Sequence, residues 1–130
     1  MKKSFILLMS ILTIALFFSC KKNDVAPTKK SFPGNWRGTW GSGSASPSNF
    51  IKFNFKQDGT LERLDQVGAV IATGTWTLNG MNFECQYTHP SNGQTHRIKG
   101  LYTDFDGAVI GTWGYSPSYA NGGEVELNKL

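Results

Sequence analysis

Residues 74–113 read GTWTLNGMNFECQYTHPSNGQTHRIKGLYTDFDGAVIGTW, and this stretch decides the fold. Apolar and polar residues alternate along it with a period of two, which is typical of strands that bury one face. Asn-Gly at 79–80 and again at 92–93 is a strong hairpin signal, and Asp-Phe-Asp-Gly at 104–107 supplies a third turn. The stretch therefore predicts four consecutive antiparallel strands joined by three short turns.

The turn positions also predict the register of these strands. Each Asn-Gly pair is taken as a two-residue loop, and residues 104–107 as a four-residue loop. The predicted cross-strand pairs are Trp76 with Phe83, His89 with His96, Cys85 with Gly100, and Tyr102 with Val109. Directly opposed residues share a face, so all three hairpins keep their apolar side chains together.

Short strands of the same kind occupy the rest of the chain from residue 34 onward. They are predicted at 35–41, 50–57, 60–66, 70–78, 81–89, 94–103, 108–114 and 122–129. An isolated sheet would leave its apolar face wet and two edges unpaired, and closure solves both problems. We predict an all-β domain over residues 34–130, an antiparallel eight-stranded up-and-down β-barrel. A flattened two-sheet sandwich is the alternative.

Aromatic rings and glycines share the predicted inner face. The inward rings are Trp36, Trp40, Phe53, Phe55, Trp76, Phe83, Tyr87, Tyr102 and Trp113. Gly38, Gly74, Gly100 and Gly111 are predicted on the same face, where a missing side chain lets a strand coil sharply. So many rings can pack a short barrel solid, and any pocket is expected to be small.

The turn at residues 57–59 decides where Arg63 points. A three-residue loop with Gly59 in the left-handed conformation pairs Phe55 with Leu61 and turns Arg63 inward. A two-residue loop would instead turn Leu64 inward and Arg63 outward. Both registers are open from the sequence, and we favour the first.

The N-terminal residues have the pattern of an export signal. Lys2 and Lys3 precede the apolar run 5–18, which is too short to span a bilayer comfortably, and Ser19 and Cys20 follow it. The pattern resembles bacterial lipoproteins, which are cleaved before a lipid-modified cysteine. An ordinary secretory signal or an N-terminal membrane helix is the alternative.

This resemblance implies that the chain has three parts and implies a cellular location. Residues 1–19 are the signal peptide, residues 20–33 are the lipidated Cys20 and a flexible tether, and residues 34–130 are the barrel. The expected location is the cell envelope, anchored to the outer membrane on its periplasmic or its surface side. Lys21 follows Cys20, in place of the Asp that resembles an inner-membrane retention signal.

The charge of the chain is concentrated in the tether. From Ser31 onward there are 7 basic and 8 acidic residues, a net charge of −1, so the high isoelectric point is no argument for nucleic acid. Lys21, Lys22, Lys29 and Lys30 can lie over anionic headgroups, each contributing ~1 kcal/mol. An acylated Cys20 leaves Cys85 without a disulfide partner, and we expect Cys85 to be a buried core residue.

The first predicted strand carries a family resemblance. Gly34-Asn35-Trp36 and Gly38-Thr39-Trp40 resemble the Gly-x-Trp start of lipocalins and their calycin relatives, and Gly-Thr-Trp returns at 74–76 and 111–113. The chain is similar to small lipocalin-like bacterial lipoproteins. The resemblance implies a protein that binds a small apolar ligand in the barrel mouth. We expect a monomer without a cofactor.

Polar side chains that interrupt the inward rows are the candidate ligand-binding residues. They are His89, His96, Tyr87, Arg63 and Tyr102. Opposed imidazoles could ligate a metal, but no carboxylate is in reach, and a histidine pair that caps the barrel rim is preferred. There is no Gly-x-Ser-x-Gly turn and no inward carboxylate pair, so we expect no enzyme activity.

A protein-binding barrel is the alternative function, as a protease inhibitor or an envelope interaction module. Its surface would come from the segments 41–49 and 115–123, with Tyr115 and Tyr119 as the contact residues. A filled interior with an ordered aromatic loop would favour this function. A continuous cavity lined by His89, His96 and Tyr87 would favour the small ligand.

Overall fold

The computed structural model describes residues 29–130. The predicted signal peptide, Cys20 and most of the tether lie outside the described residues. The eight strands are β1 (Gly34–Trp40), β2 (Asn49–Phe55), β3 (Thr60–Leu64), β4 (Val70–Asn79), β5 (Asn82–Thr88), β6 (Thr95–Thr103), β7 (Ala108–Tyr115) and β8 (Gly123–Lys129). Nowhere in residues 29–130 is there a helix long and apolar enough to cross a membrane.

The strands form one closed sheet. Each strand pairs antiparallel with the next along the chain, and β1 pairs with β8 to complete the ring. Every strand therefore has a partner on both edges. The predicted eight-stranded up-and-down barrel is confirmed, and the two-sheet sandwich is wrong.

The hairpin between β4 and β5 turns one residue later than expected. Asn79 pairs with Asn82, and Trp76 lies opposite Cys85 where Phe83 was predicted. The two-residue loop is Gly80-Met81, in which only the glycine has a positive φ (61°). This is the pattern of a type II′ turn, which needs glycine at its first central position. The predicted inward and outward side chains are retained, because the pairing moves by two residues and side chains alternate with a period of two.

The hairpin between β5 and β6 also differs from the prediction. Tyr87, and not His89, lies opposite His96. The loop has four residues, Pro90 to Gly93, and the Gly93 N–H donates to the His89 carbonyl over 2.8 Å. Pro90 has no N–H to give to a ladder, so the strand ends before it.

The other two predicted registers are confirmed. Across the β6–β7 turn, Tyr102 lies opposite Val109. Across the β2–β3 turn, Phe55 lies opposite Leu61, and Gly59 has φ +85° as the three-residue loop requires. Arg63 therefore points into the barrel.

Apolar side chains fill the barrel. The buried residues are Phe32, Trp36, Ile51, Phe53, Phe55, Leu61, Ala72, Phe83, Cys85, Tyr87, Ile98, Tyr102, Val109, Trp113, Val125 and Leu127. Trp40, Trp76 and Leu78 are half-buried and pack against this core. All nine rings predicted to point inward belong to one of these two groups.

Phe32 is a core residue that the sequence analysis placed in the flexible tether. Its side chain is only 4% exposed. Its ring centre lies 4.8 Å from the ring centres of Trp36 and Trp76, and 5.0 Å from that of Phe83. The Trp36 indole N–H donates to the Phe32 carbonyl over 2.9 Å. Phe32 therefore closes one end of the barrel.

The inward glycines are required by close approach between strands. A Cβ on Gly38 would lie 1.8 Å from the Glu126 carbonyl oxygen, and one on Gly74 would lie 1.8 Å from that of Gln86. No side chain fits at such a distance. The tight coiling predicted from these glycines is thus a contact of one backbone with the next.

Candidate functional site

The two ends of the barrel differ in chemistry. We call one end the mouth; it comprises the turns 65–69 and 89–94 and the loops 41–48 and 116–122. The opposite end is the base; it comprises Phe32 and the turns 56–59, 80–81 and 104–107. The described chain begins at the base, where the Lys30 N–H donates to the Asp104 carbonyl over 2.9 Å.

A recess of about 60 Å³ opens at the mouth. It is lined by Trp40, Ile51, Arg63, Tyr87, His96, Trp113 and Tyr115. Pockets that engulf a drug-sized ligand have volumes of roughly 300–1,000 Å³. The recess can therefore admit a small group but not a whole fatty acid or haem-like molecule.

Arg63 supplies the positive charge of the recess. A β-bulge after Arg63 shifts the register between β3 and β4, a device that commonly re-aims a side chain. The guanidinium Nη1 donates to His89 Nε2 over 2.8 Å, and the guanidinium carbon Cζ lies 5.4 Å from the centre of the Tyr87 ring. The three ion pairs formed within residues 29–130 all join other side chains. The charge of Arg63 is not neutralised by any carboxylate in that part of the chain.

This contact fixes the protonation of His89. A guanidinium can only donate, so His89 Nε2 must accept, and its proton lies on Nδ1. Burial and the charge of Arg63 both lower the pKa of His89. His89 is therefore neutral at pH 7.

His96 lies beside His89, with ring centres 5.1 Å apart. Burial, His89 and Arg63 together lower the pKa of His96 to about 4. Its Nε2–H donates to the Gln94 side-chain oxygen over 3.2 Å, and Nδ1 accepts from the Tyr87 hydroxyl over 3.4 Å. Burial raises the pKa of that hydroxyl, so it stays protonated. Arg63 is consequently the one charged group among these four side chains.

The arrangement offers little to a metal ion or a nucleophilic mechanism. Within the described part of the chain, no group of three or more His, Cys, Asp or Glu side chains is placed to hold a metal. Cys85 lies in the barrel wall, and burial raises the pKa of its thiol. A thiol with a raised pKa is a poor nucleophile. The recess can bind, by charge and by aromatic contact.

Two of the candidate side chains lie away from the recess. Tyr102 is at the base, where its hydroxyl donates to the Lys30 carbonyl and its ring meets Phe32 edge-on at 5.1 Å. Tyr119 is on the outer wall, beneath the Arg97 guanidinium at 5.1 Å. Alternation along a strand predicts which face a side chain takes, but its height depends on the distance to the nearest turn. Tyr102 is two residues before the β6–β7 turn, and that signal was overlooked.

Tyr115 joins the mouth and does not form a surface with Tyr119. Its ring centre lies 5.0 Å from that of His96 and 5.3 Å from that of Trp113. Trp113 in turn meets Trp40 edge-on at 4.9 Å and donates its indole N–H to the Gly41 carbonyl over 2.7 Å. The sequence analysis treated Trp40 and Trp113 as core only. Their position at the mouth ends of β1 and β7 is the signal that marks them as part of the recess.

Comparison of the chain with protein-family models, with curated proteins and with solved structures gives no match. The class of protein is thus defined by its fold and site. It is a small closed antiparallel β-barrel with a filled interior and a cationic, aromatic recess at one end.

Proposed function

We propose that this protein is a membrane-anchored, non-catalytic binding protein of the bacterial cell envelope, and that the mouth is its binding site. The recess carries this proposal. Arg63, Tyr87 and His96 bring polar groups to an otherwise apolar interior, and they do so at one concave point beside the exposed ring of Tyr115. Convergent polar groups in an apolar depression are typical of ligand sites.

The described chain enters the barrel at the base, which supports an orientation in which the mouth faces away from the membrane. Lys29 forms an ion pair with Asp104 at the base, with its Nζ 3.1 Å from the carboxylate. Nine residue steps separate Cys20 from Lys29, a reach of about 30 Å when extended. A lipid on Cys20 would hold the base towards the outer membrane, and the mouth would face away from it and remain accessible.

The size of the recess sets how a small apolar ligand would bind. A volume of about 60 Å³ leaves no room for the engulfed ligand of a large lipocalin-like barrel. We propose that a small organic molecule inserts one small group into the recess, against the rings of Trp40 and Trp113, while the rest of it lies over the rim. The protonated Tyr87 and the buried Cys85 provide neither a base nor a nucleophile, which supports binding without catalysis. We propose that the protein acts as a monomer without a cofactor.

A protein partner is the second candidate, and it is favoured by both features expected for it, the filled interior and the ordered loop 116–122. The Tyr115 N–H donates to the Asn121 side-chain oxygen over 2.7 Å, and the Ser118 hydroxyl oxygen accepts from two backbone N–H groups at 3.2 Å. Tyr115 is 41% exposed at the start of this loop. A fixed aromatic residue next to a filled interior suits a protein contact at low entropic cost.

Photo-crosslinking in the native host distinguishes the two candidates. A benzoylphenylalanine replaces Tyr115 at the mouth or, as the matched control, Leu101, which is 57% exposed on the outer wall. We expect an adduct of small-molecule mass at position 115 alone. A protein-sized adduct there would support the second candidate. Equal labelling at both positions, or none at position 115, would refute a binding mouth.

A further inference from the structure

We infer that the ligand of the mouth carries a carboxylate, and that this carboxylate accepts hydrogen bonds from Arg63. The inference rests on the proposed binding function and narrows its ligand to an organic acid. The acid could be a free small molecule or the C-terminal end of a peptide, because both present the same chemical group.

The first argument is the uncompensated charge. Arg63 lines an aromatic recess, and its neighbours His89, His96 and Tyr87 are all neutral. The nearest turn contains Asp65, but none of the ion pairs within residues 29–130 joins its carboxylate to Arg63. That carboxylate accepts instead from the N–H groups of residues 67 and 69, at 3.0 Å and 2.8 Å. A partly buried cation without a counter-charge is costly, and an anionic ligand would remove that cost.

The guanidinium group of Arg63 is held in place and keeps hydrogen-bond donors without an acceptor in the described part of the chain. His89 occupies Nη1 of Arg63 and so holds the planar group in place. The Nε of Arg63 is buried and has no acceptor among residues 29–130. A pre-oriented guanidinium with free donors matches the two oxygens of a carboxylate.

The volume of the recess and its single positive charge favour a small monovalent acid. The recess of about 60 Å³ admits a carboxylate, and a small flat group attached to it can lie against the rings of Trp40 and Trp113. Among residues 29–130, Arg63 is the one cation that lines the recess. A polyvalent phosphate would be less well neutralised there than a monovalent acid.

Arg97 provides a matched control inside the same molecule. Its Nε is also buried without an acceptor. It lies on the outer wall, however, where Nη1 donates to the Pro117 carbonyl over 3.3 Å and the guanidinium covers Tyr119. Arg97→Gln removes the same charge as Arg63→Gln without touching the recess.

The test is ligand-observed NMR on the full chain, purified from its host in a non-ionic detergent. Benzoate is compared with benzamide, and N-acetyl-glycyl-phenylalanine with its C-terminal amide; detergent alone gives the background. Each acid should show saturation transfer that its amide lacks. The tighter acid identifies the source, a free aromatic acid or a peptide end. Arg63→Gln should raise the dissociation constant of the acid about tenfold or more, as expected for the loss of a charge-assisted hydrogen bond. Arg97→Gln should leave this constant unchanged.

A second variant guards against loss of the fold. Arg63→Lys keeps the charge but loses the fork, and we expect an affinity between those of the wild type and Arg63→Gln; melting curves confirm that each variant is folded. Equal binding of acid and amide, no binding of either acid, or full affinity in a folded Arg63→Gln would overturn the inference. The proposed function has a separate readout, because a crosslink at position 115 depends on no charged ligand.

Discussion

At the scale of single residues, the recess is a site in which one permanent charge is surrounded by neutral polar groups. Arg63 donates to His89, and together with burial it keeps both histidines uncharged. The side of the barrel on which Arg63 lies could be predicted, because Gly59 fixes the turn before it. The Arg63–His89 contact could not be predicted, because it joins β3 to the turn after β5, and these two strands are not neighbours in the sheet.

The lowered histidine pKa values predict how stability depends on pH. The unfolded chain titrates its histidines near 6.5, whereas folded His96 has a pKa of about 4, so the unfolded state binds more protons between those values. The contribution of His96 to the free energy of unfolding should therefore be greatest above pH 6.5 and should decrease as the pH is lowered towards 4. His89 acts in the same direction.

His96→Gln tests this dependence. We expect the melting temperature of the wild type to drop more than that of His96→Gln as the pH is lowered from about 7 to 5, a range above the carboxylate titrations. Circular dichroism melts of both proteins across that range provide the measurement. Parallel curves for the two proteins would show that His96 does not carry the effect.

At the scale of strands and turns, alternation predicts the faces and turn chemistry predicts the register, with different success. The strand bounds and inward rings followed from the period of two. Two of the four turns differ from the prediction. In the β5–β6 turn the loop begins at Pro90, because proline has no N–H to donate to the ladder. In the β4–β5 turn the loop begins at Gly80, because glycine takes the first central position of the turn. A register is set by such local hydrogen bonds, which an Asn-Gly pair alone does not determine.

Gly74 offers a test of strand packing. A Cβ at this position would lie 1.8 Å from a backbone oxygen of β5, and a backbone atom cannot swing aside. We expect Gly74→Ala to lower the free energy of unfolding by about 3 kcal/mol, the upper end of typical overpacking costs. The neighbouring exposed Thr75→Ala serves as the control, with a loss of about 1 kcal/mol or less. Urea titrations that gave the two variants the same midpoint would contradict the close approach of β4 and β5.

At the scale of the whole molecule, the barrel has a closed base and a partly open mouth. Phe32 joins the segment before β1 to the core, and its ring touches five aromatic neighbours. This role could not be predicted, because a single apolar residue among polar ones has no period. The barrel itself could be predicted, since an eight-stranded sheet with one apolar face has few other ways to satisfy its edges.

The plug at the base predicts a large effect of Phe32→Ala. Removal of a fully packed phenylalanine should lower the free energy of unfolding by about 3–5 kcal/mol. Phe105→Ala, in the base turn and 52% exposed, is the control, and a change within about 0.5 kcal/mol is expected. Chemical denaturation of the two variants gives the comparison. Similar small losses in both would mean that Phe32 does not belong to the core.

The central claim is that the barrel carries its ligand at the mouth and not inside. Native mass spectrometry of the full chain from its host membranes, compared with its denatured mass, tests this most directly. We expect an excess mass that disappears on denaturation, persists in Arg97→Gln and is absent from Arg63→Gln. A bare protein mass in the wild type, or an excess mass that a folded Arg63→Gln variant retains, would contradict the account.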